Sequence, residues 1–367
     1  MSSYVIKNAK VFDGEKFVGV KDVAVKDGKI VDKAPEDATV VDGSGKTLLP
    51  GLWDCHMHIY DRPDFLEDEI KNGVTSVCDM GCRNKETVDK MKNLDIVHIL
   101  SSYSIICAPT SGAVENMKYP EWIRVKNAEE ATALVDKYVS WGADYVKIVI
   151  EEQTGAGEKG GAPFPVEIGK AIVEEAHKNG KKVIAHAIDF PSFKKATEIG
   201  VDIITHMPLS GEMPDEVVDK VAEQGETLLP TITMMTGVAE MIKARNPKAP
   251  VSKEVSENNL KKFLNRGVKA FISTDSNVDD ETTPSDVYYG TSVHEEILNF
   301  AECGLSNEEV LADATSRPAE YFGQTDRGEI ADGKTADLLL VDGDLENDLS
   351  EIRNVSAVWY KGEKKIG

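Results

Sequence analysis

The sequence has few cysteines, a deficit of basic residues and no long hydrophobic stretch. Only five cysteines occur in 367 residues. Their number is odd and most lie in apolar segments, so we expect no disulfide framework and a reducing compartment. The 42 basic side chains are outnumbered by 64 acidic ones, and the net charge of −22 repels a nucleic-acid backbone. No run of 18 apolar residues and no apolar signal-peptide core occurs, so we expect a cytoplasmic protein without a nucleic-acid or membrane partner.

The two ends of the chain show a different residue pattern from its middle. Residues 1–47 contain short strand-like segments separated by Asp-Gly turns, and residues 325–367 look the same. Because chain termini often lie close together, we expect both ends to build one small β-sandwich domain. Between them, eight apolar strand candidates alternate with helical patterns. These candidates span 48–55, 74–80, 96–106, 143–150, 181–187, 201–207, 227–233 and 268–275.

This alternation predicts an α/β fold, a TIM-type (β/α)8 barrel over residues 48–324. Eight parallel strands joined by crossover helices close into such a barrel. Glycine follows the helical patterns, as at Gly180, Gly200 and Gly225, where a helix is expected to stop. Since barrel active sites lie at the carboxyl ends of the strands, polar residues at those ends are the candidates for chemistry.

Six such residues stand out. His56 and His58 end the first strand, and alternation along a strand aims both imidazoles to one side. Neutral imidazole is a common zinc ligand. Four more ligand-type side chains come at or beside later strand ends: Lys147, His186, His206 and Asp275. Any one histidine alone would more often be a hydrogen-bonded structural residue, and Asp275 alone would suit a helix cap. Their shared placement favours one common site.

Lys147 is the most informative of the six. It lies between Val146 and Ile148 inside a strand pattern, where an unpaired ammonium is costly to bury. It therefore needs a partner or a chemical role. The remaining histidines, His98, His177 and His294, have no comparable placement, and we interpret His177 in the last turn of a helix as structural.

These motifs together resemble the amidohydrolase superfamily. Residues 50–58 (Pro-Gly-Leu-Trp-Asp-Cys-His-Met-His) and the four later residues carry the resemblance, and a C-terminal stretch over 314–342 extends it to nearly the whole chain. Residues 142–148 resemble the branch with imidazolonepropionase-like proteins and metal-dependent Xaa-Pro or Xaa-Arg/Lys dipeptidases. Imidazolonepropionase itself lacks the fourth-strand lysine, so Lys147 argues against that activity.

The resemblance implies a binuclear centre with two divalent metal ions, usually zinc. His56, His58 and Asp275 would hold the more buried ion, and the histidines of the fifth and sixth strands the more exposed one. The fourth-strand lysine, carbamylated by CO₂, would bridge both. A hydroxide bridging the metals would be the nucleophile, and Asp275 would pass its proton to the leaving amine. The exposed metal would polarise the scissile carbonyl.

Substrate contacts are expected on the loops that follow the strands. Arg83, after the second strand, is the nearest candidate for binding a carboxylate, and residues 155–161 are rich enough in glycine to form a mobile lid. That segment lacks the phosphate-loop pattern. The candidate contacts are Tyr60, Arg83, Ser111, Gln153, Thr231 and Tyr288.

Three functions remain open at this point. The leading one is hydrolysis of an amide bond in a dipeptide-like or N-acyl amino-acid substrate. The second is hydrolysis of a cyclic amide, a lactone, a carbamate-like compound or an organophosphate ester by the same ligands. The third, a non-catalytic metal-binding barrel, is disfavoured because all six residues are present. The expected partner is a small-molecule substrate, and homo-oligomer formation stays open.

Overall fold

The computed structural model describes residues 3–111, 114, 118–152, 164–277 and 287–367. The strands are β1 (Tyr4–Phe12), β2 (Phe17–Lys26), β3 (Lys29–Val31), β4 (Thr39–Asp42), β5 (Lys46–Pro50), β6 (Leu52–Met57), β7 (Val74–Asp79), β8 (His98–Ser101), β9 (Ile105–Cys107), β10 (Val146–Val149), β11 (Val183–His186), β12 (Ile203–Thr205), β13 (Thr227–Leu229), β14 (Leu338–Asp342), β15 (Val355–Tyr360) and β16 (Glu363–Ile366). The helices are α1 (Pro63–Lys71), α2 (Lys85–Leu94), α3 (Ala128–Trp141), α4 (Val166–Lys178), α5 (Phe190–Ile199), α6 (Asp215–Gln224), α7 (Ile232–Arg245), α8 (Lys253–Leu264), α9 (Thr291–Glu302), α10 (Asn307–Asp313) and α11 (Ser316–Tyr321). Short 3₁₀ turns lie at Glu121–Ile123 and Leu349–Arg353.

Both ends of the chain contribute strands to one small β unit, which is a single sheet and not the two sheets of the predicted sandwich. Its eight strands form a single sheet in the order β16-β15-β14-β5-β1-β2-β3, with β4 also pairing with β1. The N-terminal and C-terminal halves meet where β5 runs antiparallel to β14. A separate hydrophobic cluster supports the sheet, and within it the rings of Tyr4 and Trp359 stack with centroids 5.6 Å apart.

The barrel strands form two parallel sheets, β6-β7-β8 and β9 to β13. The predicted third strand, 96–106, comes in two pieces: β8 pairs with β7, and β9 pairs with β10. On the other side, residues 270–276 lack the ladder of a regular strand but bond to both neighbours. The amide of Phe271 donates to Leu228 (3.1 Å), and the amide of Cys55 donates to Ile272 (2.9 Å). This segment therefore occupies the eighth position, between β13 and β6.

The interior of the barrel is a packed core. Buried residues at or beside every barrel strand except β9 meet there: Trp53, Cys55, Cys78, Leu100, Tyr145, Ile184, Ile203, Leu229 and Phe271. Residues of opposite parity, such as Val146 and Ile148, pack outward in the cluster that includes the helices. Because side chains alternate along a strand, Lys147 points inward like Tyr145, two residues earlier.

The first barrel strand begins later than the predicted 48–55. Residues 46–50 are instead β5 of the terminal sheet, and only Gly51 separates β5 from β6. A Cβ at Gly51 would lie 2.2 Å from the Thr75 hydroxyl oxygen, so the close approach of β7 requires glycine there. The helix stops are as predicted, with Gly200 and Gly225 in left-handed conformations at helix ends.

All five cysteines are free and buried, which agrees with the absence of a disulfide framework. Within the described ranges, no helix combines the length and hydrophobicity that crossing a bilayer requires. Gln153 and the glycine-rich segment 155–161 lie outside the described residues.

Candidate metal centre

The Asp275 carboxylate lies at the middle of a histidine cluster. Its Oδ1 is 3.3 Å from Nε2 of His56 and 3.4 Å from Nε2 of His58. Its Oδ2 is 3.9 Å from Nδ1 of His206. These four residues are at most 8% exposed. The ligand atoms of His56, His206 and Asp275 all lie within 4.8 Å of one another, a spacing that suits a metal ion.

The other two predicted residues border the same cluster. The rings of His186 and His206 have centroids 4.5 Å apart, and those of His56 and His206 are 5.0 Å apart. Lys147 is buried and its Nζ donates to the Thr205 hydroxyl at 3.1 Å. The structure thus brings all six sequence-predicted residues to one end of the barrel.

An irregularity in β6 sets the direction of His56 and His58. Cys55 belongs to the interior core, whereas Met57 packs in the outer layer. In a regular strand these two side chains would share a face. The pairing of β6 with β7 shifts register between Asp54 and Met57, as at a β-bulge, so the face changes there. His56 and His58 consequently both point inward.

Left-handed backbone occurs at three successive strand ends. His206, Thr231 and Asp275 have φ values of 73°, 48° and 58°. Such values are uncommon outside glycine and cluster at functional sites. At His206 the positive φ changes the direction of the side chain. Thr205 reaches Lys147 inside the barrel, so regular alternation would turn His206 outward, and the left-handed turn directs it to the cluster instead.

Hydrogen bonds behind the histidines orient the rings. Nδ1 of His58 lies 3.2 Å from the Gly81 carbonyl, which also accepts the Tyr119 hydroxyl at 2.8 Å. Nδ1 of His206 lies 2.8 Å from the Thr231 hydroxyl. A carbonyl can only accept, so neutral His58 carries its proton on Nδ1 and presents the Nε2 lone pair to the cluster. Ligand histidines are commonly oriented in this way.

Asp54 is a supporting residue that the sequence reasoning missed. Its fully buried carboxylate accepts the amide of His56 (3.0 Å) and both the amide and the hydroxyl of Thr274. It therefore links β6 to the segment that carries Asp275. A charged residue within the apolar pattern Leu52-Trp53-Asp54-Cys55 was the available signal, because buried carboxylates need partners.

Burial and the Asp275 charge together set the pKa values of the cluster. Burial lowers the pKa of His56 to about 4 and that of His186 to about 3, so both imidazoles are neutral near pH 7. Burial also lowers the pKa of Lys147 to about 7. At Asp275, burial raises the pKa, but the neighbouring histidines outweigh it and hold the pKa well below its ordinary range. At His58, burial lowers the pKa, but the hydrogen bond and charge of Asp275 outweigh it and raise the pKa above its ordinary value. The site thus combines neutral His56 and His186 with an ionised carboxylate.

These donors fit a divalent metal. Nδ1 of His56 and Oδ1 of Asp275 are buried and form no hydrogen bond within the described part of the chain. Nε2 of His58 presents a lone pair to the same carboxylate oxygen. Acceptor atoms that face one another in a buried site are unfavourable unless a cation lies between them. Imidazole nitrogen and carboxylate oxygen are the donors that zinc accepts.

The candidate substrate contacts lie in different environments. Tyr60 stacks on His58, and Arg83 lies over Tyr60. Ser111 is buried and donates to Glu151 at 2.8 Å. Tyr288 is 54% exposed.

Thr231 differs from its expected role. It is fully buried and lies behind His206, so its hydroxyl positions that ring rather than facing an entering molecule.

Comparison with known proteins decides the family. The sequence profile of the amidohydrolase family matches residues 47–365. The chain belongs to the amidohydrolase family. A solved structure of a Xaa-Pro dipeptidase with bound methionine in the active site covers 100% of both chains, with a TM-score of 0.85 and 25% identity. This amidohydrolase therefore has the expected barrel with a small β domain.

Two similar proteins have names that indicate other activities. Adenine deaminase of Bacillus licheniformis is 25% identical over 98% of this amidohydrolase, which spans only 58% of that relative's length. Imidazolonepropionase of Bdellovibrio bacteriovorus is 24% identical over 89% of the chain and 81% of the relative. The expectation of a hydrolase that acts on carbon–nitrogen bonds is supported by the family, the dipeptidase structure and the deaminase.

Proposed function

We propose that this amidohydrolase cleaves an amide bond of a dipeptide-like or N-acyl amino-acid substrate at a binuclear metal centre. The observation that carries the proposal is the buried Lys147 among four histidines and Asp275 at the strand ends. The full-length likeness to a Xaa-Pro dipeptidase favours a small amide substrate.

In this proposal His56, His58 and Asp275 would hold one divalent ion, and His186 and His206 would hold the second. Zinc suits the nitrogen and oxygen donors. A metal pair bound here would acidify a coordinated water and polarise the scissile carbonyl.

Lys147, as a carbamate, would supply oxygen donors to the metal centre. Its amine is buried, and no carboxylate of the described residues forms an ion pair with it. With a pKa near 7, a large fraction of the amine is neutral at physiological pH. Its nitrogen lone pair would form a bond to the carbon of CO₂, and one N–H proton would leave to water. The resulting anion replaces a cation that is costly to bury.

Asp275 would move the proton during hydrolysis. Its carboxylate is ionised at neutral pH, so it can accept a proton from the attacking water and deliver it to the leaving amine nitrogen. Thr231 and the Gly81 carbonyl would keep the His206 and His58 rings in place while this happens.

A second candidate is hydrolysis of a ring compound by the same site. The names of the adenine deaminase and imidazolonepropionase relatives favour it. The metal ligands of this second candidate are the same, so only substrate turnover separates the two.

The test joins metal content to turnover. We expect about two equivalents of zinc per chain by ICP-MS in purified, zinc-loaded protein, since the six donors fit two sites. A screen against dipeptides, N-acyl amino acids, cyclic imides and lactones should show turnover of the first two classes. Lys147→Ala should lose metal and activity, whereas Lys178→Ala, at an exposed lysine paired with Glu175, should keep both. Full metal and activity in Lys147→Ala would refute the site, and turnover of cyclic compounds alone would refute the substrate.

A further inference from the structure

Three side chains form a stack at the edge of the metal centre. The Tyr60 ring stacks on the His58 imidazole, with centroids 5.9 Å apart and an interplanar angle of 24°. The guanidinium carbon of Arg83 lies 5.3 Å from the centroid of the Tyr60 ring. Tyr60 has a φ of 42°, a left-handed turn directly after β6. A positive charge is therefore held one aromatic ring away from a candidate metal ligand.

The backbone places Arg83 at the same point independently. Arg83 lies two residues after Gly81, and the Gly81 carbonyl bonds to Nδ1 of His58 and to the Tyr119 hydroxyl. A Cβ at Gly81 would approach the Ile105 side chain to 2.8 Å, so this segment packs closely against the barrel. Arg83 is thus linked to His58 in two ways, through the backbone at Gly81 and through the Tyr60 ring.

The charge of Arg83 bears on which substrates the site can bind. With a net charge of −22, the protein repels an anionic substrate at long range. A cation placed beside the metal centre would offset this repulsion where a substrate carboxylate binds. The planar guanidinium can match a carboxylate with two parallel hydrogen bonds, and contact with an aromatic face helps to position it.

We propose that Arg83, oriented by Tyr60, binds a free carboxylate on the substrate, so that the natural substrates are amides with a carboxylate next to the scissile bond. This inference rests on the proposed amide hydrolysis and assigns the residues that recognise its substrate. Arg83 contacts the substrate, whereas Tyr60 is a positioning residue that acts through Arg83. N-acyl amino acids and dipeptides satisfy the requirement, and neutral amides do not.

The experiment compares matched substrates that differ only in the carboxylate. Zinc-loaded full-length protein is assayed with pairs such as N-acetyl-L-leucine and N-acetyl-L-leucinol, with several side chains. We expect kcat/KM to favour the acid by about 10- to 100-fold, the range for charged hydrogen bonds. Arg83→Met should abolish most of this preference by raising KM for the acid. Arg83→Lys should keep part of it, because lysine retains the charge but not the fork.

Two further variants isolate the role of the stack. Tyr60→Phe keeps the ring and should keep the preference, whereas Tyr60→Leu should reduce it. Arg62→Met removes a nearby guanidinium that pairs with Asp64 and lies over Phe65, so the acid preference should stay at the wild-type value. Zinc content and thermal unfolding are measured for each variant, and only proteins with full zinc are compared.

The outcomes separate this inference from the proposed function. Equal turnover of acid and alcohol by wild type, or an unchanged preference in zinc-replete Arg83→Met, would overturn the carboxylate role while amide hydrolysis stands. Failure of wild type to hydrolyse any acid or alcohol of the panel would overturn amide hydrolysis itself, and the carboxylate role with it.

Discussion

The Thr231 hydroxyl lies 2.8 Å from Nδ1 of His206, and both residues have left-handed backbone conformations. Thr231→Val keeps the shape of the side chain and removes the hydrogen bond. We expect metal affinity to fall about 10- to 100-fold, because the ring loses its orienting partner. Competition with a fluorescent zinc chelator measures the change. Thr231→Ser keeps the hydroxyl and should remain near wild type, and equal affinities for Val and Ser would contradict the positioning role.

Asp275→Asn tests proton transfer at the centre. The amide keeps the size of the side chain but cannot accept the proton of the attacking water. We expect kcat to fall by about 10²- to 10⁴-fold. The exposed Asp68 on α1 offers a control, since Asp68→Asn should leave kcat unchanged. Zinc content is measured alongside, and an Asp275→Asn protein with near-normal kcat would exclude the assigned role.

Glu226 makes stability depend on pH. It is buried, its Oε2 accepts the Thr197 hydroxyl at 3.2 Å, and burial raises its pKa from 4.5 to about 8. Between pH 4.5 and about 8, Glu226 is therefore protonated in the folded state and ionised in the unfolded state. The favourable contribution of this proton to the free energy of unfolding is complete below pH 4.5 and is lost as the pH rises to about 8.

Glu226→Gln should remove that dependence. The free energy of unfolding of the variant relative to wild type should increase with pH, by at most about 1.4 kcal/mol per pH unit. Urea denaturation at pH 5 and pH 8.5 measures it. Glu223→Gln, at an exposed neighbour on α6, is the control. A constant difference across this window would show that Glu226 titrates normally.

A buried ion pair ties the C-terminal segment to the terminal sheet. Nη1 of Arg327 lies 2.9 Å from Oδ2 of Asp337, and both side chains are at most 7% exposed. Arg327→Met leaves the carboxylate buried without its cation, which costs about 3–5 kcal/mol of unfolding free energy. Arg353→Met removes an exposed pair with Glu295 and should cost about 0–1 kcal/mol. Chemical denaturation compares them, and similar losses would contradict the importance of burial.

Strand periodicity predicted part of the centre and could not predict the rest. Lys147 follows the interior residue Tyr145 by two positions, and His186 follows Ile184 in the same way, so alternation alone directs both inward. His56 points inward only because β6 shifts register, and His206 only because its φ is positive. Both features depend on pairing with neighbouring strands, which the local sequence does not encode.

The supporting contacts were also beyond the sequence. The Gly81 carbonyl is a backbone group with no side chain to mark it, and Thr231 looked like a loop residue open to substrate. The barrel was predictable because its apolar period repeats eight times, while the split of the third strand and the late start of the first depend on tertiary pairing.

Gly51 alone joins β5 of the terminal sheet to β6, which carries His56. The barrel therefore cannot be separated from the terminal sheet without cutting beside a barrel strand. A fragment beginning at Leu52 would expose the edge of β14 and free the N-terminal end of the strand that leads to His56 and His58. Transplanting this catalytic unit into another protein would require the terminal sheet to travel with it, and circular permutation at Gly51 should fail where permutation at an exposed hairpin succeeds.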